Sequence, residues 1–323
     1  MHYGGIDEAG YGPMLGPLCV GNAVFHIDGT PTERPCLWTL LHRAVTRGGR
    51  DRARRITIDD SKKLKGARDG VAHPLMQLER GVLTMLASTD DDRTWLESCT
   101  DLVLLDKLGV ALPDEPWFAG DPIDVPLGTD ARALRLDAKV LRNAMVSAGV
   151  QLTRLQVRAL SVRHYNDRVQ ASGSKSWVNF ETAASLIDAA WADASTLHLV
   201  MDRHGGRTSY QRELRTSWPE TVIDVRGESE DRSDYRLQRG DATMHLHVRA
   251  KADGDHLPVA LASMAAKLVR ELMMLRLNRF FAGLMPDLAP TAGYVQDGRR
   301  WLQDVNPVLE ARGFDRQTLV RCR

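Results

Sequence analysis

Gly5-Ile6-Asp7-Glu8-Ala9-Gly10-Tyr11-Gly12-Pro13-Met14-Leu15-Gly16-Pro17-Leu18 is the stretch from which the rest of the chain is read. The residues from Tyr3 to Ile6 predict a short strand, and that strand closes on two acids. Glycines 10, 12 and 16 follow, so the carboxylates stand at a strand end beside backbone that a ligand can approach closely. A phosphate or a metal ion suits such a place, and so does a solvated pair of edge acids. Neighbouring strand residues point to opposite faces. Glu8 therefore joins Asp7 only where the strand bends or ends, and Gly10 offers that bend.

Outward from this stretch, Leu18 to Ile27, Leu197 to Met201 and Val222 to Val225 are further apolar runs that predict strands. Met244, Leu246 and Val248 alternate with His245 and His247, the pattern of a half-exposed strand. The two histidines share a face, but with no third imidazole or thiolate nearby in sequence the expectation is a solvated face rather than a metal site. Trp177, Phe180, Ala184, Ile187 and Trp191 recur at helical spacing, as do Leu261, Met264, Leu268, Leu272 and Leu275. Pro258 falls in the first turn of the second helix, where its missing N–H costs nothing. Strands and helices intermix, so the fold class is α/β, a sheet covered by helices. Residues 87–132, with Pro113, Pro116, Pro122, Pro126 and many aspartates, read as an irregular insertion, and 258–323 as a helical C-terminal part of one domain spanning 1–323.

The 323 residues are 43% hydrophobic and 26% charged, which excludes a disordered chain, a collagen and a small disulfide-stapled scaffold. Lys+Arg 43 against Asp+Glu 42 leaves a net +1, so any site for a polyanion must be a local patch. The run from His42 to Arg55, with six arginines, is either such a patch or a solvated face. Cys19, Cys36, Cys99 and Cys322 are scattered and suit neither a disulfide framework nor zinc, so a reducing cytoplasm is the expected setting. No apolar run approaches the ~20 residues of a membrane span, and no basic segment leads into an apolar one at the start. A chain neither exported nor embedded is expected.

Three more segments bear on the chemistry. Asp60-Ser61-Lys62-Lys63-Leu64 offers a hydroxyl and two ammonium groups suited to phosphate oxygens, or a polar turn opening a helix. Val200-Met201-Asp202 ends a strand in a carboxylate that suits a metal or a cap. Lys251-Ala252-Asp253 precedes the helix holding Ala262-Ser263-Met264-Ala265-Ala266-Lys267.

In the order and character of these blocks the chain resembles the type 2 ribonucleases H, the HII and HIII enzymes. That family opens with a strand ending in Asp-Glu-x-Gly-x-Gly, matched by Asp7 to Gly12, and continues with Asp-Ser-Lys-Lys-Leu, matched without change at 60–64. Its third acid ends a later strand, as Asp202 does. Its fourth lies just before a helix reading Ala-Ser-x-x-Ala-Lys, as Asp253 does. Gly293-Tyr294-Val295-Gln296-Asp297, followed by Trp301-Leu302, matches a segment of the HII branch. Tyr165-Asn166-Asp167 and His256-Leu257-Pro258-Val259-Ala260 are closer to HIII. The resemblance spans 3–64 and about 160–305, leaving 87–132 unmatched.

The resemblance implies a ribonuclease H-like fold, a mixed five-stranded sheet flanked by helices, with insertions. It implies an endonuclease that hydrolyses the RNA strand of RNA/DNA hybrids through two Mg²⁺ or Mn²⁺ ions. Asp7 would bridge both ions, with Glu8, Asp202 and Asp253 completing the shells and Glu271 as the alternative to Asp253. Substrate would lie on Gly10, Tyr11, Gly12, Ser61, Lys62 and Tyr294. The family's turn is Gly-Arg-Gly; with Tyr11 at its centre the backbone groups remain and the guanidinium is absent, so runs of ribonucleotides are expected to be cut better than a lone one. The competing readings are a catalytically silent nucleic-acid binder and another two-metal nuclease acting on structured DNA.

Overall fold

The apolar run after the glycine-rich stretch forms a strand buried on both faces, and the sheet grows around it. The computed structural model describes residues 1–29, 34–48, 51, 54–64 and 73–322, so Arg50 and Arg52 of the arginine run lie outside the described residues. The strands are β1 (His2–Ala9), β2 (Leu18–Ile27), β3 (Val45–Thr46), β4 (Ile56–Thr57), β5 (Val150–Leu160), β6 (Thr196–Asp202), β7 (Val222–Glu228), β8 (Arg232–Arg239) and β9 (Ala242–Arg249). The helices are α1 (Leu37–Leu40), α2 (Ser61–Leu64), α3 (Met76–Thr89), α4 (Asp101–Lys107), α5 (Ala131–Ser147), α6 (Val162–Ser172), α7 (Lys175–Ala192), α8 (Gln211–Ser217), α9 (Leu257–Leu284) and α10 (Val295–Arg312).

The sheet is ordered β5-β2-β1-β6-β9-β8-β7. Its centre, β1-β6-β9, is parallel, and antiparallel strands lie on both flanks. Seven strands stand where five were expected, because β7 and β8 form an antiparallel pair that extends the sheet beyond β9. β3 and β4 make a separate two-stranded piece.

Two hydrophobic cores cover the faces. One packs α9, with α3, α5 and α10 around it, against Tyr3, Ala23 and Phe25; the other packs α7 and its neighbours against Ile6, Val20 and Val24. Helix α9 is apolar almost all round because it is enclosed on nearly all sides. Its first turns lie directly on the backbone of β1 and β2. A Cβ on Gly5 would stand 2.2 Å from the nitrogen of Val259, and one on Gly21 2.2 Å from the carbonyl oxygen of Ala262. Those two glycines bring the start of α9 down onto the strand that carries Asp7.

Residues 87–132 contain the end of α3, helix α4 and two single turns of 3-10 helix, Thr94–Ser98 and Pro116–Phe118. Buried charge ties this segment down. Asp101 meets Arg276 of α9 through two contacts, 2.5 Å at Nε and 2.9 Å at Nη2, and Arg276 also donates to the Phe118 carbonyl. Glu79, fully buried on α3, accepts from the N–H groups of Leu127 and Gly128.

The face carrying His245 and His247 is not solvated as the alternation suggested. Both rings are half-buried, since Arg34, Trp38 and the start of α9 wall this part of the sheet. His245 stacks on His198 at 4.7 Å, and His247 lies 2.6 Å from Asp234.

Candidate active site

Parallel pairing of β1 with β6 ends with Ile6 opposite Met201, so the next residues, Asp7 and Asp202, stand side by side where the two strands part. β6 pairs with β9 up to Asp202 and Arg249. From Arg249 the chain turns at Lys251, whose φ of 58° is in the left-handed region, and the Ala252 N–H donates to Asp202 Oδ1 at 2.7 Å. A side chain in that conformation carries backbone strain of order 1 kcal/mol. The turn leaves Asp253, nearly buried, at the mouth of α9.

β1 stays extended through Ala9, so Asp7 and Glu8 face opposite sides of the sheet. Asp7 lies on the α9 side beside Ser263, and Glu8 on the α7 side beside Asn179 and His204, whose Nε2 is 3.8 Å from Glu8 Oε2. The bend expected at Gly10, where φ is +91°, comes two residues too late to swing Glu8 round, so Glu8 meets the cluster through the Asp202 charge, which raises both it and Asp7, and not from Asp7's own face.

The four acids nonetheless form one electrostatic unit. Burial, then the charges of Glu8 and Asp202, hold the Asp7 carboxyl well above the ordinary carboxylate range. Burial and the Asp202 charge push Glu8 up to about 7. Asp202 is raised by burial, and Asp253 by burial and then by Asp60 and Asp202. Lys62, exposed on α2, opposes the rise at Glu8, Asp202 and Asp253. Asp60 thus belongs to the cluster. It stood in the quoted 60–64 segment, without an assigned role.

Several polar atoms around Glu8 are orphaned: Glu8 Oε2 and both ring nitrogens of His204 are buried with no hydrogen-bond partner among the described residues. Such atoms cost stability unless something else occupies their surroundings. Among the described residues no three carboxylates, imidazoles or thiolates are drawn together tightly enough to hold an ion as they stand. The donor set fits hard divalent cations all the same: oxygen ligands, unpaired negative charge and orphaned acceptors.

The glycine-rich loop is held from beneath by two buried guanidiniums. Arg321, next to the chain end, donates through Nε to the Gly16 carbonyl at 2.9 Å and also binds the Gly10 carbonyl. Arg270 of α9 donates to the carbonyls of Leu15 and Ala292, tying the loop to the segment before Tyr294. The N–H groups of Met14 and Leu15 both reach the Gly293 carbonyl. Tyr294 is 52% exposed, with Arg270 at 5.9 Å from its ring centre. Tyr11 is half-exposed and feels the charges of Glu8 and Arg207. A Cβ on Gly12 would meet nothing within 4 Å, so that side of the turn is open. Ser61 is buried, its Oγ 3.0 Å from Ser263 Oγ, where it steadies the serine beside Asp7.

The chain is similar to solved structures of ribonucleases HII and HIII. The ribonuclease HII of Archaeoglobus fulgidus, solved in complex with PCNA, is 17% identical, with 100% of this chain and 95% of that one covered and a TM-score of 0.43. The ribonuclease H2 of Pyrococcus horikoshii OT3 is 14% identical over 99% and 92%, with a TM-score of 0.40. Bst ribonuclease HIII in complex with Mn²⁺ is 18% identical over 99% of this chain and 66% of its own, with a TM-score of 0.41. No protein-family model matches the chain, and neither does any curated protein.

Glu271, the alternative fourth ligand, is 2.8 Å from Lys267 and 3.7 Å from Arg270 on its own helix, so its charge is already paired. His204, Asn179, Arg270 and Arg321 were not singled out from the sequence. Only His204 left a local trace, two residues after the strand-end Asp202.

Proposed function

We propose that the chain is a metal-dependent endoribonuclease that hydrolyses the RNA strand of RNA/DNA hybrids. The observation that carries this reading is the crowding of Asp7, Glu8, Asp202 and Asp253, whose carboxyls burial holds above the ordinary range and none of which forms an ion pair with Lys or Arg among the described residues, Lys62 acting on them only through its charge. A protein that only bound nucleic acid would lose affinity by gathering negative charge where phosphates must lie.

Asp7, Glu8, Asp202 and Asp253 would hold two Mg²⁺ or Mn²⁺ ions. When bound, such a pair supplies an activated water and stabilises the departing 3′ oxygen of an in-line displacement. The protein supplies the placement. Arg321 and Arg270 fix the carbonyls of the glycine loop, so the Gly10-Tyr11-Gly12 backbone presents an unchanging surface to the sugar edge. RNA is told from DNA by its 2′-hydroxyl, and the backbone of that turn and the Tyr294 ring would read it. Lys62, the cation whose charge reaches three of the four acids, suits a phosphate oxygen next to the cleaved bond.

The test is cleavage of end-labelled RNA/DNA hybrid, duplex DNA, duplex RNA and a duplex with one ribonucleotide, with and without Mg²⁺ or Mn²⁺. Metal-dependent cuts in the RNA of the hybrid are expected. Binding without cuts under every condition indicates a silent relative, and cuts confined to structured DNA indicate the other two-metal nuclease.

A further inference from the structure

On the α9 face of the sheet lies a cavity of about 480 Å³ walled by Tyr3, Arg34, Trp38, His198, His245 and His256. Its volume is within the range of ligand pockets. The charge inside it is unbalanced. Asp255 at its rim is 3.6 Å from Arg47, and neighbouring Asp234 is taken by His247 and Arg249, each at 2.6 Å. Arg34 has no such partner, and its Nη1 is buried without an acceptor among the described residues. A guanidinium stays protonated even where burial pulls its pKa down, as here.

The polar groups that share the cavity wall with Arg34 include a phenol and several imidazoles. Of the Tyr3 hydroxyl and His256 Nδ1, 2.7 Å apart, the phenol is the natural donor, which leaves the N–H of the neutral ring on Nε2. His198 and His245 lie flat on one another with 9° between their planes. Burial and the Arg34 charge depress His256 to about 4. His198 falls to about 4 through burial, His245 and then Arg34. The rings are therefore neutral near pH 7, and Arg34 is the one unbalanced charge among the described cavity residues. A bare cation is a poor match: no three metal-binding groups converge here among the described residues, and Arg34 repels one.

We propose that this cavity binds a phosphate group, with Arg34 as the charged anchor and His256 as an N–H donor. The guanidinium fork matches phosphate oxygens in geometry and charge. The phosphate belongs either to a nucleic-acid backbone or to a small phosphorylated molecule. The inference does not depend on nuclease activity.

The experiment is NMR of the full chain with ¹³C-labelled histidine, titrated separately with inorganic phosphate, a 5′-mononucleotide, a short RNA/DNA hybrid and Zn²⁺. Phosphate is expected to move the signals of His198, His245 and His256 and to leave His42 and His73 in place. Arg34→Gln is expected to weaken the effect about tenfold. His245→Asn, an alternative should Arg34→Gln not fold, is expected to weaken it less. A hybrid that produces the same shifts, competed by phosphate, identifies a backbone subsite; a mononucleotide that does so while the hybrid does not identifies a small ligand. Shifts with Zn²⁺ but not with phosphate, or phosphate shifts unchanged in Arg34→Gln, overturn the proposal.

Discussion

Asp101, under the insertion, and Asp7, at the end of β1, are both buried, yet Asp101 has a guanidinium in two-point contact whereas Asp7 has other carboxylates for company. The first arrangement joins two distant parts of the chain, α4 and α9, and leaves little capacity to bind anything else. The second destabilises the metal-free protein, because burial and like charge both disfavour ionisation. Buried charge with its partner inside the protein is a structural tie, and buried charge without one points to a partner from outside.

The sharpest way to break that contrast is to neutralise each acid in turn. Asp7→Asn should lower hybrid cleavage about a thousandfold or more, about 4 kcal/mol of transition-state stabilisation, while circular dichroism stays the same. Its melting temperature should be unchanged or higher, since a repulsive charge has gone. Wild-type turnover in this variant would sink the ligand assignment.

Asp101→Ala should do the reverse. Leaving Arg276 buried without its counter-charge should cost about 3–4 kcal/mol in urea unfolding, with cleavage by the folded fraction retained. Replacing both members with apolar residues should recover most of the loss. An equal loss in the single and double variants would mean that the pair acts through packing rather than charge.

Glu8 sharpens the contrast through pH. Its folded pKa of about 7 lies above the ordinary value of 4.5, so the folded state binds the extra proton between those limits. The stability it confers is full below about 4.5 and is lost as pH rises through 7, by roughly 3 kcal/mol without divalent ions. Glu8→Gln should flatten that part of the profile, and Mg²⁺ should restore stability to the wild type at pH 7 more than to the variant. A wild-type profile already flat in metal-free buffer would show that Glu8 ionises freely.

The same contrast explains what was legible in the sequence. The run Leu18–Ile27 coincides residue for residue with β2, and the spacing from Trp177 to Trp191 falls inside α7, because periodicity is local. β5 escaped notice because a bulge opposite Val24 and Phe25 puts its buried Leu152 and Leu155 three residues apart, which breaks the alternation. β8 offers only Tyr235 and Leu237 among charged and polar residues. The strand-end acids are readable as chemistry wherever they fall. The arginines that hold their surroundings are not: Arg321 reaches Gly16 across 305 residues, and no local pattern announces such a contact. The side to which Glu8 turns was equally hidden, because it depends on how far β1 stays extended.

The smallest effect expected is on substrate choice, at the turn between the paired and unpaired regions. Tyr11 occupies the centre of a turn whose two glycines are fixed differently: Gly10 is clamped over Arg270 and Arg321, while Gly12 faces open space. A longer, charged side chain at position 11 therefore has room on the Gly12 side. Tyr11→Arg should add a charge-assisted contact to a phosphate beside an RNA–DNA junction, which matters most when a single 2′-hydroxyl is all there is to read. Arg207, whose charge already reaches Tyr11, will repel the new guanidinium and cut the gain. The expected result is a rise of about fivefold in the ratio of single-ribonucleotide to hybrid cleavage, with hybrid cleavage itself nearly unchanged. Adding Arg207→Gln should enlarge that ratio if repulsion sets the limit. A ratio that does not move in either variant, with the wild type cutting both substrates equally, would show that the clamped backbone alone reads the ribose.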